Sequence, residues 1–200
     1  MEIRATLVRV ISRLARPALR WRLTAKGVRL GTGVRFVGFP TISAVRDASI
    51  RIGSRSTFVS SSSVAMLGAS TACIVRARRA GASVIIGDDC GFTGIVIGCC
   101  TAITIGDRVL TGSNVTIVDN DFHPIHSIPR HDKPAPSSSP GDAVVIEDDV
   151  FLGMGATVLK GVRVGRGSVI AARSVVTRSI PPFSIAAGNP ARVIGQVRQE

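Results

Sequence analysis

The residues best equipped for chemistry crowd into one stretch. Positions 119–131 read D-N-D-F-H-P-I-H-S-I-P-R-H and contain all three histidines of the chain, His123, His126 and His131. A neutral imidazole near pH 7 is the usual side chain for taking a proton from a hydroxyl. Such a base needs a carboxylate that accepts from its other ring N–H and stabilises the imidazolium. Asp119 and Asp121 both flank the approach to His123. Spacing does not choose between them, and D-N-D is equally ordinary turn chemistry. Glu147 is a third acid, but it opens an E-D-D run where solvated corner residues are expected.

A periodic pattern frames this stretch. From Ile146, steps of six reach Leu152, Val158, Val164, Ile170 and Val176, all aliphatic. Four residues after each of the first five stand Val150, Ala156, Val162, Ser168 and Ser174, small or β-branched. Six fits neither the 3.6 period of a helix nor the 2.0 period of a lone strand. It fits a short strand plus a corner, three such faces closing one triangular coil whose aliphatic column is buried by stacking. The expected fold is therefore all-β, a parallel β-helix of hexapeptide repeats spanning 27–180. Upstream, Leu30, Phe36 and Ile42 keep the step, as do Ile52, Phe58 and Val64; Ile86 and Phe92 lead to Gly98, and Ile105 arrives one residue late. Residues 119–143 break the register and carry five prolines, so they form a loop extruded between coils.

The ends differ from the middle. Leu7, Val10, Ile11 and Leu14 make a helical stripe with arginine on the other faces, ending before Pro17. Residues 1–30 hold eight basic residues against Glu2, which is +7 of the total +12. We expect residues 1–26 to be a basic helix that caps the first coil and touches membrane phosphate. Residues 181–200 leave the repeat as an extended tail. The 200 residues are 45% hydrophobic but only 4% aromatic, which supports a packed core and argues against a base-stacking nucleic-acid platform. The four cysteines make no C-x-x-C pair, so we expect reduced thiols, mostly buried, no metal site and a cytoplasmic protein. The longest uncharged run, Cys90 to Gly106, is 17 residues and glycine-rich, short of the roughly 20 that a spanning helix needs.

Taken together, the hexapeptide repeat, the D-x-D-F-H-P loop, the coil V-V-I-E-D-D-V-F-L-G-M-G-A-T-V-L-K-G-V and the ending I-P-P-F-S-I-A-A-G-N-P-A-R-V-I resemble the left-handed β-helix acetyltransferases. More narrowly they resemble the sugar O-acetyltransferases, among them those acting on maltose, galactosides, Nod factors, exopolysaccharide and O-antigen. The resemblance spans about residues 28–197. It implies a homotrimer with each active site in a groove between two subunits, acetyl-CoA as donor, and direct attack on the thioester. It implies His123, at the family's H-P position, as general base, and the main-chain N–H of Met154 as oxyanion donor. It places CoA along Gly155, Ala172, Thr177, Arg178 and Arg192, with Asn189 and Pro190 shaping the tail; Lys160 and Arg173 add charge. Where the maltose and galactoside members carry Asn and Asp for acceptor hydroxyls, this chain has C-G-F-T-G-I-V-I-G-C-C-T-A. A polymeric or lipid-linked glycan is therefore the expected acceptor.

Other readings compete. His126 and His131 have the spacing of a zinc carbonic anhydrase, but residues 1–122 supply no third histidine. A small acceptor such as an antibiotic or serine fits the same fold. So does a trimer without activity that binds nucleic acid or membrane through its basic end; the absent recognition motif favours no nucleic-acid partner.

Overall fold

The computed structural model describes residues 2–125, 128–129 and 142–198. Among the described residues there are twenty short strands, nineteen of which stack in parallel as a left-handed β-helix with three flat faces. Face A runs through β1 (Val28–Leu30), β4 (Ser49–Ile52), β7 (Ser83–Ile86), β10 (Ala102–Ile105), β13 (Val144–Ile146) and β16 (Arg163–Val164). Face B runs through β2 (Arg35–Val37), β5 (Thr57–Val59), β8 (Gly91–Thr93), β11 (Leu110–Ser113), β14 (Phe151–Leu152) and β17 (Val169–Ile170). Face C holds β3 (Thr41–Ala44), β6 (Ile74–Ala77), β9 (Val96–Cys99), β12 (Thr116–Val118), β15 (Thr157–Val158) and β18 (Val175–Val176).

The six-residue aliphatic positions form vertical columns. On face A, Ile52, Ile86, Ile105, Ile146 and Val164 pair in register, all buried. On face C the column is Ile42, Val75, Ile97, Ile117, Val158 and Val176. Face B carries the aromatic part of the core: the Phe36, Phe58 and Phe92 rings stack with centroids 5.6 and 4.9 Å apart.

The corners set the spacing. Where face A turns into face B, glycine recurs as Gly31, Gly53, Gly87, Gly106 and Gly165. A Cβ on Gly53 would sit 2.5 Å from the backbone of Gly87 in the next coil. The residue two places on takes a left-handed conformation: Arg55 (φ 59°), Asp89 (56°), Arg108 (55°) and Asp149 (59°). Ion pairs between coils hold these residues, Arg55 with Asp89 at 2.6 Å and Arg108 with Asp149 at 2.6 Å. The hydrogen bonds from those guanidiniums keep both carboxyls below the usual carboxylate range. The residue between has an orphan N–H, and an aspartate from the following coil accepts it: Ser54 to Asp88, Asp88 to Asp107, and Asp107 to Asp148, at 2.7, 2.7 and 2.9 Å.

The structure departs from the sequence expectation in four places. The helix α1 (Glu2–Ala25) runs through Pro17 rather than stopping before it. Pro17 lies on an exposed side, and Leu19 and Leu23 beyond it are buried against the prism, so packing outweighs the lost hydrogen bond. Val64 is not a column residue: strand resumes only at β6, where Val75 faces inward. Gly98 faces outward and Ile97 inward, because the corner at Gly94 (φ 57°) is one residue shorter and the corner at Cys99–Thr101 is longer. The tail is built into the prism: β19 (Ser184–Gly188) extends face B alongside β17 and pairs with β20 (Ala191–Gln196) as an antiparallel hairpin.

Gly53→Ala should cost about 2–3 kcal/mol, the scale of forcing a methyl into filled space. Gly195→Ala, whose Cβ would meet only Ile185 Cδ1 at 3.9 Å, should move the urea midpoint far less.

Candidate active site

The loop leaves the prism at the corner where face C turns into face A, directly after β12. Asp119 is fully buried there. Its carboxylate accepts from the N–H of Cys100 and of Thr101, both at 2.7 Å, from Asn120 Nδ2 at 3.1 Å and from the Cys99 thiol at 3.3 Å. It therefore closes the lengthened corner of the coil above. Burial, reinforced by this carboxylate, pushes the Cys99 thiol well up, and burial pushes Cys90 up to about 11. All four cysteines are free and buried, which suits packing rather than nucleophilic chemistry.

Residues 119–123 form a tight turn. Asn120 donates to Gly98 O at 3.3 Å and accepts from Phe122 N at 3.0 Å. Phe122 adopts φ 60°, its ring lying over Gly98, where a Cβ would meet Cζ at 3.2 Å. His123 N–H donates to Asp121 O at 2.6 Å, and the His123 side chain projects into solvent. Among the described residues no side chain holds its ring. Asp121 instead pairs with Lys160 at 2.6 Å, and Lys160 also reaches Asp142 at 3.7 Å. Lys160 thus joins the departing and returning ends of the loop. The hydrogen bond to Asp121 raises the pKa of its ammonium. Neither candidate orienter is free as drawn from sequence: Asp119 is spent on the corner, Asp121 on Lys160. Lys160, placed by resemblance among the CoA cations, is engaged as this tether. His126 and His131 lie outside the described residues.

The remaining candidates divide between two edges. Thr177 and Arg178 follow β18 and so share the loop's edge. Met154, Gly155, Ala172 and Arg173 occupy the edge where face B turns into face C. Gly155 (φ 69°) donates to Ser113 O and Arg173 N to Met154 O, both at 2.8 Å, stacking three coils. The hairpin turn bearing Asn189 and Pro190 joins this edge through Gly188 N to Ser174 Oγ at 3.1 Å. Arg192 lies beside it on β20, its guanidinium touching Ala191 O at 2.9 Å. Among the described residues no carboxylate pairs with Arg173, Arg178 or Arg192.

One difference between the corners bears on chemistry. The N–H groups of Ser54, Asp88 and Asp107 are capped by carboxylates. Those of Met154 and Ala172, at the matching corner position on the other edge, donate to no group among the described residues. They are two unspent donors on successive coils, the arrangement an oxyanion or an amide carbonyl can use. The D-N-D turn was legible in the sequence, but nothing there signalled the missing caps or Asp142 as a partner of Lys160.

Comparison with known proteins agrees with the repeat. Residues 143–178 match the family described as "Bacterial transferase hexapeptide (six repeats)". The "Putative acetyltransferase" of Schizosaccharomyces pombe is 38% identical over 112 residues, covering 56% of this chain; the chain spans about half of that protein, 49%. The crystal structure of the polySia-specific acetyltransferase NeuO superposes with a TM-score of 0.69 at 25% identity, covering 86% of this chain and 68% of the other. AntD, an N-acyltransferase of Bacillus cereus solved with dTDP and 3-hydroxybutyryl-CoA, shares the fold with a TM-score of 0.61 at 16% identity, over 90% and 88% of the two chains.

Asp119→Ala strands two buried N–H donors and should destabilise the chain by about 3–5 kcal/mol. The same variant should speed modification of Cys99 and Cys100 by a thiol reagent under native conditions.

Proposed function

We propose that this chain, a member of the hexapeptide-repeat acetyltransferase family, moves an acetyl group from acetyl-CoA to a hydroxyl of a saccharide. The observation that carries the reading is the pair of N–H donors, Met154 and Ala172, on one edge, with no acceptor among the described residues. The residues fit the donor. A pantetheine arm offers amide carbonyls to such N–H groups, and Arg173, Arg178 and Arg192, which pair with no carboxylate among the described residues, are cations suited to phosphates. Acetyl-CoA supplies the thioester carbonyl. His123 takes the proton from the acceptor hydroxyl as its oxygen attacks, and later returns a proton to the leaving sulfur. The Met154 N–H faces the carbonyl oxygen as charge develops on it.

This assignment needs more than one copy. His123 and Met154 belong to opposite edges of face C, five or six strand residues apart, about 17–20 Å at roughly 3.3 Å per residue. A base and an oxyanion donor must both lie about 3 Å from the reacting groups. A trimer with face C turned toward the threefold axis brings the loop edge of one copy against the Met154 edge of the next. The outer side of face C suits burial, since Val96, Thr116, Val118, Thr157, Leu159 and Val175 are uncharged and half-buried already. Arg178 and Thr177, on the loop edge, then meet the same donor as Arg173 of the neighbouring copy.

The acceptor is a saccharide by analogy with NeuO, and the exposed loop around His123 suits a polymeric or lipid-linked glycan better than a small enclosed one. Reduced, buried thiols accord with a cytoplasmic site of action. Neither carboxylate reaches the His123 ring in a single copy, and Asp121 is the nearer of the two in sequence. We assign the orienting role to Asp121, released from Lys160 when acceptor or a neighbouring copy docks.

The test is CoA release from acetyl-CoA against a panel of glycans, amino sugars and small alcohols. One glycan should drive release, and His123→Ala should lose about 10²–10⁴-fold, the scale of a single general base. Full activity in His123→Ala would discard it as the base, and release driven only by amines would replace O- with N-transfer. Sedimentation should give a trimer, and an active monomer would refute the shared site.

A further inference from the structure

The helix α1 uses one face to pack and leaves a second, apolar face uncovered. Ser12, Leu19 and Leu23 are buried against β1 and β2. Ser12 Oγ accepts from Gly38 N at 2.7 Å and Arg20 donates to Gly31 O at 3.2 Å, so the helix is fixed in rotation about its own axis. At 100° per residue, the opposite side presents Ile3, Leu7, Val10, Leu14 and Trp21. Their exposures are 85, 56, 49, 76 and 76%. The stripe that sequence periodicity picks out therefore points away from the prism core.

Charge rims this stripe on both sides. Arg9 and Arg13 project along one flank, Arg4 and Arg22 along the other, all four exposed. Glu2 is the sole acid before Asp47. A second copy of the chain would set these arginines against their own kind. A lipid surface with anionic headgroups instead accepts both features: the apolar side chains enter the acyl boundary while guanidiniums take phosphate oxygens. Trp21, an amphipathic ring on the stripe, suits the headgroup level. No described helix is long and apolar enough to cross a membrane, so the helix would lie along the surface, about 36 Å of it at 1.5 Å per residue.

We infer that the outer face of α1 is a docking surface for an anionic membrane, holding the prism at the bilayer with its first coil nearest the lipid. This inference stands apart from the acetyl-transfer reading, because none of its residues belongs to the proposed active site.

Trp21 is the only tryptophan of the chain and reports directly. The full-length chain would be mixed with vesicles of phosphatidylglycerol and phosphatidylcholine, and with vesicles of phosphatidylcholine alone. Docking predicts flotation with the anionic vesicles, a blue shift of Trp21 emission, and loss of both when salt screens the arginines. Leu7→Glu with Leu14→Glu, on the exposed face, should cut partitioning at least about tenfold. Their thermal unfolding should stay unchanged, since neither side chain packs on the prism. Three results would overturn the inference: no flotation and no emission change; equal binding to neutral vesicles; or blue emission without lipid in an assembly that the Glu variant splits, which would assign the stripe to a second copy. Retention on duplex DNA without flotation would overturn it as well.

Discussion

Everything in this molecule depends on how closely one coil can lie on the next. Neighbouring strands in a sheet are held about 4.8 Å apart by their hydrogen bonds, and the corners must keep that spacing without any ladder of their own. At the first corner position there is no room for a side chain, so glycine stands there repeatedly. At the next, the N–H points away from the strand and has no neighbour in its own coil. The carboxylates of Asp88, Asp107 and Asp148 solve this for three successive coils. The acids that look like surface decoration in E-D-D are thus part of what fixes the pitch.

The same constraint explains where a site can exist. A corner N–H that is capped is spent, and one that is uncapped is available. Face A meets face B with its donors largely satisfied, while face B meets face C with Met154 and Ala172 open. The loop emerges from the third edge. Among the described residues, the open N–H donors and the stretch bearing His123 therefore lie on two different edges of one prism.

Much of the fold was legible because the period of six is a geometric statement: it fixes which residues face inward, and the columns of Ile, Val and Leu follow. Irregular corners were less legible. Val64 looked like a column residue because the spacing alone cannot distinguish a strand from an insertion that happens to place a valine correctly. Gly98 fell out of register because one corner lost a residue at Gly94 while another gained at Cys99–Thr101. Pro17 marked a helix end by local rule, yet burial of Leu19 and Leu23 carried the helix onward. At the site, residue types pointed to His123, but which carboxylate serves which partner depends on coils far apart in sequence. Asp119 meets Cys100 nineteen residues earlier, and Asp121 meets Lys160 thirty-nine residues later. No local pattern carries that information.

The tether at Lys160 has a further consequence. One ammonium contacts Asp121, where the loop departs, and Asp142, where it returns, while Asp119 locks the departure point into the wall. Both ends of the excursion are therefore anchored to the prism, independently of what lies between them. Such an arrangement behaves like a socket. The two anchors thus fix where the excursion starts and ends on the prism, whatever the stretch between them contains.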